Sequence, residues 1–221
     1  MKKIFLFTIM CLSLSRVDAQ DKIVLLTGKV LTGKVLSYDE AYLQYSYMKK
    51  KEVKTDMLDR YRIYSTIDSS GKENVLYVRD TTVGNFLTEP EMRLFIAGEQ
   101  DAQKNFKCRG YNTTGFLFAL GISLLDTYEK QDGQPFFNGF FREDPGILHF
   151  ATPFVYPIIA SLPPISLRIR DVTERKNLLE EPYIEGFERV GKQKRRFGGL
   201  LYSTIGSATG IGLYLLGKWI Q

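Results

Sequence analysis

One stretch limits what this chain can fold into more than any other. Lys192, Lys194, Arg195 and Arg196 put four cations into five positions, and the 21 residues at 197–217 that follow carry no charge and include six glycines. About 20 predominantly apolar residues are what an α-helix needs to cross a bilayer core. The stretch therefore reads as a membrane helix with a cationic flank. Its glycines have a pattern of their own. Gly206 and Gly210 stand four apart, with Ser203 and Ser207 beside them. A stripe of small residues lets a second helix approach closely. Ser203, Gly206 and Gly210 are thus the candidate packing residues, facing the second apolar segment or another chain. Gly217 lies beyond the stripe and is expected to be more tolerant.

Two further apolar segments precede it. Residues 145–167 contain no charge but are interrupted by Pro153, Pro157, Pro163 and Pro164, and residues 110–126 form a shorter run. By length, 145–167 and 197–217 qualify as membrane helices and 110–126 is marginal. Nine Lys or Arg residues lie between 167 and 197, against two between 126 and 145 and one, Lys218, after 217. Basic loops favour the cytoplasmic side. Lys192, Lys194, Arg195 and Arg196 are therefore read as topology determinants on that side. A helical hairpin of the second and third segments follows, with the first lying at the interface without crossing. Phe136, Phe137, Phe140, Phe141 and Trp219 then fall together on the outer side, as a membrane-interface aromatic belt.

The other end of the chain carries an export signal. Lys2 and Lys3 precede an apolar run at 4–14, and Val17 and Ala19 supply small residues for cleavage after Ala19. The region 1–19 thus reads as a signal peptide. Its removal leaves Cys108 as the sole thiol, so no intramolecular disulfide is expected.

From 20 to 84 the apolar pattern has period two and is punctuated by turns. Leu43, Tyr45 and Tyr47 share one face, and Tyr61, Ile63 and Ser65 another. Thr27-Gly28 reads as a turn, Gly33 as a bulge or bend, and 68–72 as a hairpin. Five or six short strands in so few residues would close into a small barrel to remove their edges. The opening "KIVLL", a turn glycine and then "GKV" resembles the Src-homology-3-like and Sm-like barrels. Residues 85–109 read as an amphipathic connecting helix. Thr88 and Glu91 have capping-box spacing, and Met92, Phe95, Ile96, Ala102 and Phe106 recur at helical intervals. Glu99 and Asp101 are two apart, share no helix face, and are read as solvated. The expected fold class is α+β: a small antiparallel β-barrel, then a helical, membrane-embedded half at 110–221.

The layout as a whole resembles an uncharacterised group of bacterial envelope proteins. The pieces that carry the likeness are Ala19-Gln20-Asp21, the "GEQDA" helix at 98–102, "GFERV" at 186–190, and the Gly-rich apolar stretch after it. The resemblance implies location and layout, and no activity.

The formal charge of +5 is topological on this reading, and no nucleic-acid-binding motif accompanies it. The lone histidine, His149, has no Cys/His cluster around it for a metal. No nucleophile–base pair or cofactor loop stands out, so catalysis and cofactors are not expected. The function expected is a non-catalytic envelope membrane protein, most readily in the inner membrane. Its barrel would dock a protein partner in the periplasm and its helices would contact membrane lipids or self-associate. The alternative is a small pore or transport-complex subunit, with the proline-broken segment lining a cavity.

Overall fold

The computed structural model describes residues 20–129 and 139–220; the leader and Phe136 and Phe137 lie outside them. The chain divides into two compact units between Ile96 and Ala97.

The first unit is a six-stranded, wholly antiparallel sheet. Its strands are β1 (Asp21–Leu25), β2 (Val30–Tyr38), β3 (Tyr42–Lys49), β4 (Glu52–Asp59), β5 (Ile63–Ile67) and β6 (Glu73–Val75), in the spatial order β4-β3-β2-β1-β5-β6. Local chemistry sets the turns. Gly28 takes φ 69° between β1 and β2. Lys50 and Lys51, at φ 52° and 70°, close the β3–β4 hairpin across the Lys49–Glu52 pair, the two positive angles that a tight, twist-matched hairpin requires. Asp68 accepts the backbone N–H groups of Ser70 and Lys72 in the β5–β6 hairpin.

The sheet is open, and this corrects the expected barrel. β4 and β6 are free edges, and β6 has only three residues. Burial that closure would have supplied comes from both faces instead. Ile23, Leu25, Leu43, Tyr45, Ile63 and Leu76 form one core. On the reverse face Val24, Tyr64 and Tyr77 pack under Met92, Phe95 and Ile96 of helix α1 (Glu89–Asn105). A helix laid on the sheet removes the need to curl shut. The predicted Leu43–Tyr45–Tyr47 face is real, with Tyr47 packing on the core and stacking on Tyr45 at 5.5 Å. Tyr61 departs from its predicted face: it sits exposed in a 3-10 turn, Arg60–Arg62, before β5 begins. The β2–β3 register shifts between Val35 and Ser37, not at Gly33. Gly33 instead marks a close approach, since a Cβ there would meet the Ser46 carbonyl oxygen at 2.5 Å.

Helix α1 starts as its capping spacing predicts. Glu91 accepts the backbone N–H of Thr88 at 2.7 Å and its hydroxyl at 2.8 Å. The second unit comprises the end of α1 and three further helices: α2 (Arg109–Asp126), α3 (Ile147–Ser161) and α4 (Glu181–Ile220). The proposed connecting region 85–109 is therefore not a single helix; α1 ends at Asn105 and α2 begins at Arg109. The second apolar segment is helical over only 15 residues, because Pro163 and Pro164 cannot continue it. Pro153 and Pro157 are accommodated inside α3.

The three helices pack along one another. Gly198, Gly206 and Gly210 of α4 meet Asn112, Phe116 and Ser123 of α2 in that order, so α2 and α4 run parallel. Ser203 and Gly210 meet Pro153 and His149 of α3, which runs antiparallel to both. This differs from the expected hairpin of the second and third segments alone. The first apolar segment is a full member of the bundle, at the same level as the third.

Candidate functional site

Where the three helices pack, the interior is built mostly from small and polar side chains, with Tyr156 and Tyr214 the large exceptions. Gly115, Ala119 and Ser123 of α2, His149 and Thr152 of α3, and Ser203, Gly206, Ser207 and Gly210 of α4 are buried. The predicted stripe is thus a packing surface, and within the chain its chief partner is α2 rather than the second segment. At Gly206 an added Cβ would collide with the Phe116 backbone carbonyl and stand 3.0 Å from the Ala119 Cβ. At Gly210 it would collide with the Ser123 side chain. Ser203 donates to the Gly199 carbonyl at 2.6 Å and reaches the Pro153 carbonyl at 3.4 Å. That second acceptor is free because Pro157, four residues on, has no N–H to give it. His149 is 1 % exposed, and among the described residues neither ring nitrogen has a hydrogen-bond partner.

Large apolar side chains point outward. Leu117 and Phe118 on α2, Phe154 and Ile158 on α3, and Phe197, Leu201 and Ile205 on α4 are all exposed. Small and polar residues inside with large apolar residues outside invert the order of a water-soluble core. Among the described residues α4 alone is a candidate membrane span by length and composition; α3 is apolar but shorter.

At one end of the bundle the predicted cation cluster forms a collar, and its members have separate tasks. Arg195 is 4 % exposed. It donates to the Pro163 carbonyl at 2.8 Å, and its guanidinium lies 4.0 Å from the centre of the Tyr111 ring. It thereby seals the end of α3 against the start of α2. Lys194 donates to the carbonyls of Ala102, Gln103 and Phe106 at 3.0, 2.5 and 3.2 Å, capping the end of α1. Burial draws its ammonium below the ordinary lysine value. Lys192 pairs with Glu188 at 2.6 Å. Arg196 is exposed.

The two motifs behind the family resemblance meet beside this collar. Gly98 lets α1 touch the Tyr183 backbone of α4. Glu99 faces Arg189 at 3.3 Å. Asp101 accepts the Tyr183 hydroxyl at 2.7 Å and the Thr173 N–H at 2.9 Å. Ala102, Phe187 and Val190 share a core. Glu99 and Asp101 are therefore buried, which corrects their reading as solvated: each faces a different group on the packed segments. Burial pushes the Glu99 carboxyl up to about 7, against the opposing pull of Arg189.

At the far end Phe140 and Phe141 lie near the ends of α2 and α4. Phe140 lies 5.0 Å from the Tyr128 ring, and Phe141 lies over Gly217. Trp219 is 84 % exposed. Gly217 is consequently not the tolerant position its place in the sequence implied. Lys218 and Tyr214 both donate to Asp144 there. Among the described residues no three His, Cys, Asp or Glu converge on a common point. No protein-family model, curated protein or solved structure matches the chain.

Two outcomes follow from this geometry. Gly206→Leu and Gly210→Leu should each lower the melting temperature of the detergent-solubilised chain by several degrees, since overpacking costs about 1–3 kcal/mol or more. Gly212→Leu, which meets open space, should not. The second outcome concerns pH. The folded Glu99 value near 7 lies above the ordinary 4.5. Between these values the folded chain keeps a proton that the unfolded chain has lost. Glu99 therefore stabilises fully below pH 4.5, and that contribution is lost as pH rises through 7. Urea unfolding should show stability falling by up to about 3 kcal/mol across this window. Glu99→Gln should flatten the slope.

Proposed function

We propose that this chain is a non-catalytic cell-envelope protein whose three-helix bundle anchors it in a membrane and whose sheet docks a protein partner. The observation that carries the reading is the inverted bundle. Soluble proteins rarely expose contiguous apolar patches beyond a few hundred Å², whereas helices in lipid pack through small residues and turn large ones outward. Export by the 1–19 leader and the likeness to envelope proteins support a periplasmic sheet and an inner-membrane bundle. The bundle enters the bilayer as one body, with the collar and the end of α1 on the same, exported face. Lys194 and Arg195 then act as a structural seal rather than as cytoplasmic topology signals, because both donate to protein carbonyls.

Docking is supported by β4. Among the described residues nothing pairs with its outer edge over eight residues, and Val53 (70 % exposed) and Met57 are exposed on it. An exposed edge of this kind accepts an added strand. The pore alternative has less support, since the close approach at Gly206 and Gly210 fills the bundle axis with backbone and small side chains.

The full chain should float with phosphatidylcholine vesicles and resist alkaline carbonate. Purified in detergent from its own cells, it should hold a stoichiometric protein partner that Val53→Pro on β4 releases. Carbonate extraction into the soluble fraction would overturn the anchor. Ion flux from the purified chain in liposomes, with no partner retained, would favour the pore.

A further inference from the structure

Along α3 and α4 runs a groove of about 730 Å³ that changes character from one end to the other. Its collar end is cationic. Lys192 and Arg196 are one turn apart on a single face of α4, and both line it. Beside Ser161 and Gln193, its other walls are mainly apolar: Phe154 and Ile158 from α3, Phe197 and Leu200 from α4, all exposed. The antiparallel pairing sets the levels. Arg195 bonds the Pro163 carbonyl, which places the end of α3 beside the cations. The Ser203–Pro153 contact places the apolar walls deeper along the bundle. Arg189 also lines the groove, but Glu99 already faces it, and Glu188 offsets Lys192. Among the described residues Arg196 has no such acidic neighbour within ion-pair distance.

We propose that this groove is a binding site for one anionic phospholipid, with the headgroup phosphate at Arg196 and Lys192 and the upper acyl chain against Phe154, Ile158, Phe197 and Leu200. The charge step matches the molecule. A guanidinium and an ammonium suit a phosphate, and an apolar trough immediately below them suits the methylenes that a phospholipid carries immediately below its phosphate. A soluble phosphate would leave the trough empty, and an acyl chain alone would leave Arg196 unpaired. The proposal rests on the bundle lying in a bilayer.

The test uses the full chain, purified in detergent and stripped of lipid, with native mass spectrometry as the readout. Palmitoyl-oleoyl phosphatidylglycerol should be retained about fivefold more tightly than the matching phosphatidylcholine, the difference one uncompensated cation produces. Arg196→Gln and the double variant Lys192→Gln/Arg196→Gln should bring the two lipids to the same level. Lys176→Gln, on an exposed cation paired with Glu174, should not. Equal retention of the two lipids by the unmodified chain would overturn the site, as would an unchanged preference in Arg196→Gln. Competition by glycerol 3-phosphate at the lipid's own concentration would assign the cations to a soluble ligand and overturn it too. Flotation of the same samples with phosphatidylcholine vesicles separates this from the anchor. A chain that floats but shows no preference loses the lipid site alone; a chain that does not float loses both.

Discussion

Everything in the helical half depends on how closely α2 and α4 approach. At Gly206 the two backbones are near enough that no side chain fits between them, and at Gly210 only the Ser123 side chain intervenes. Apolar surroundings give helices no hydrophobic reason to associate, so dispersion contacts and interhelical hydrogen bonds must hold them. Small residues supply the first by bringing backbones together. Ser203, and the Tyr156 hydroxyl that donates to the Tyr111 carbonyl at 2.7 Å, supply the second. Those contacts turn the large residues outward and determine the surface that any lipid or partner would meet.

The collar closes what the glycines align. Pro163 and Pro164 end α3 and leave carbonyls without helical donors, and Arg195 meets them while stacking on Tyr111. Lys194 does the same for the end of α1. A cation that caps carbonyls from two directions ties elements distant in sequence without a disulfide. Arg196, one residue on, is exposed.

Much of this was legible in the sequence, and what was not has physical causes. The capping pair Thr88 and Glu91, the Leu43–Tyr45–Tyr47 face and the small-residue stripe were all readable because each depends on short spacings. The open sheet was not, because strand periodicity is the same whether a helix or another strand covers the reverse face. Glu99 and Asp101 were misread because helix spacing shows which residues share a face, not whether another segment lands on it. The signal was present elsewhere: Gly98 beside them permits close approach, and "GFERV" holds the matching arginine. The first apolar segment was set apart by counting cations. That count treats every Lys and Arg as a solvated charge, and two of the four in the collar are bound to carbonyls.

On the proposed function α2, α3 and α4 cross a bilayer together, with the end of α1 and the collar on one face and the end of α4 on the other. The direct measurement is cysteine accessibility in a Cys108→Ser background, with single cysteines at Lys104, Gln193 and Ile220. A membrane-impermeant maleimide applied to sealed membranes should treat positions 104 and 193 alike and position 220 oppositely, whichever face is outward. If 104 and 193 react from opposite faces, α2 does not cross with α4. If all three react without permeabilisation, the bundle does not span at all.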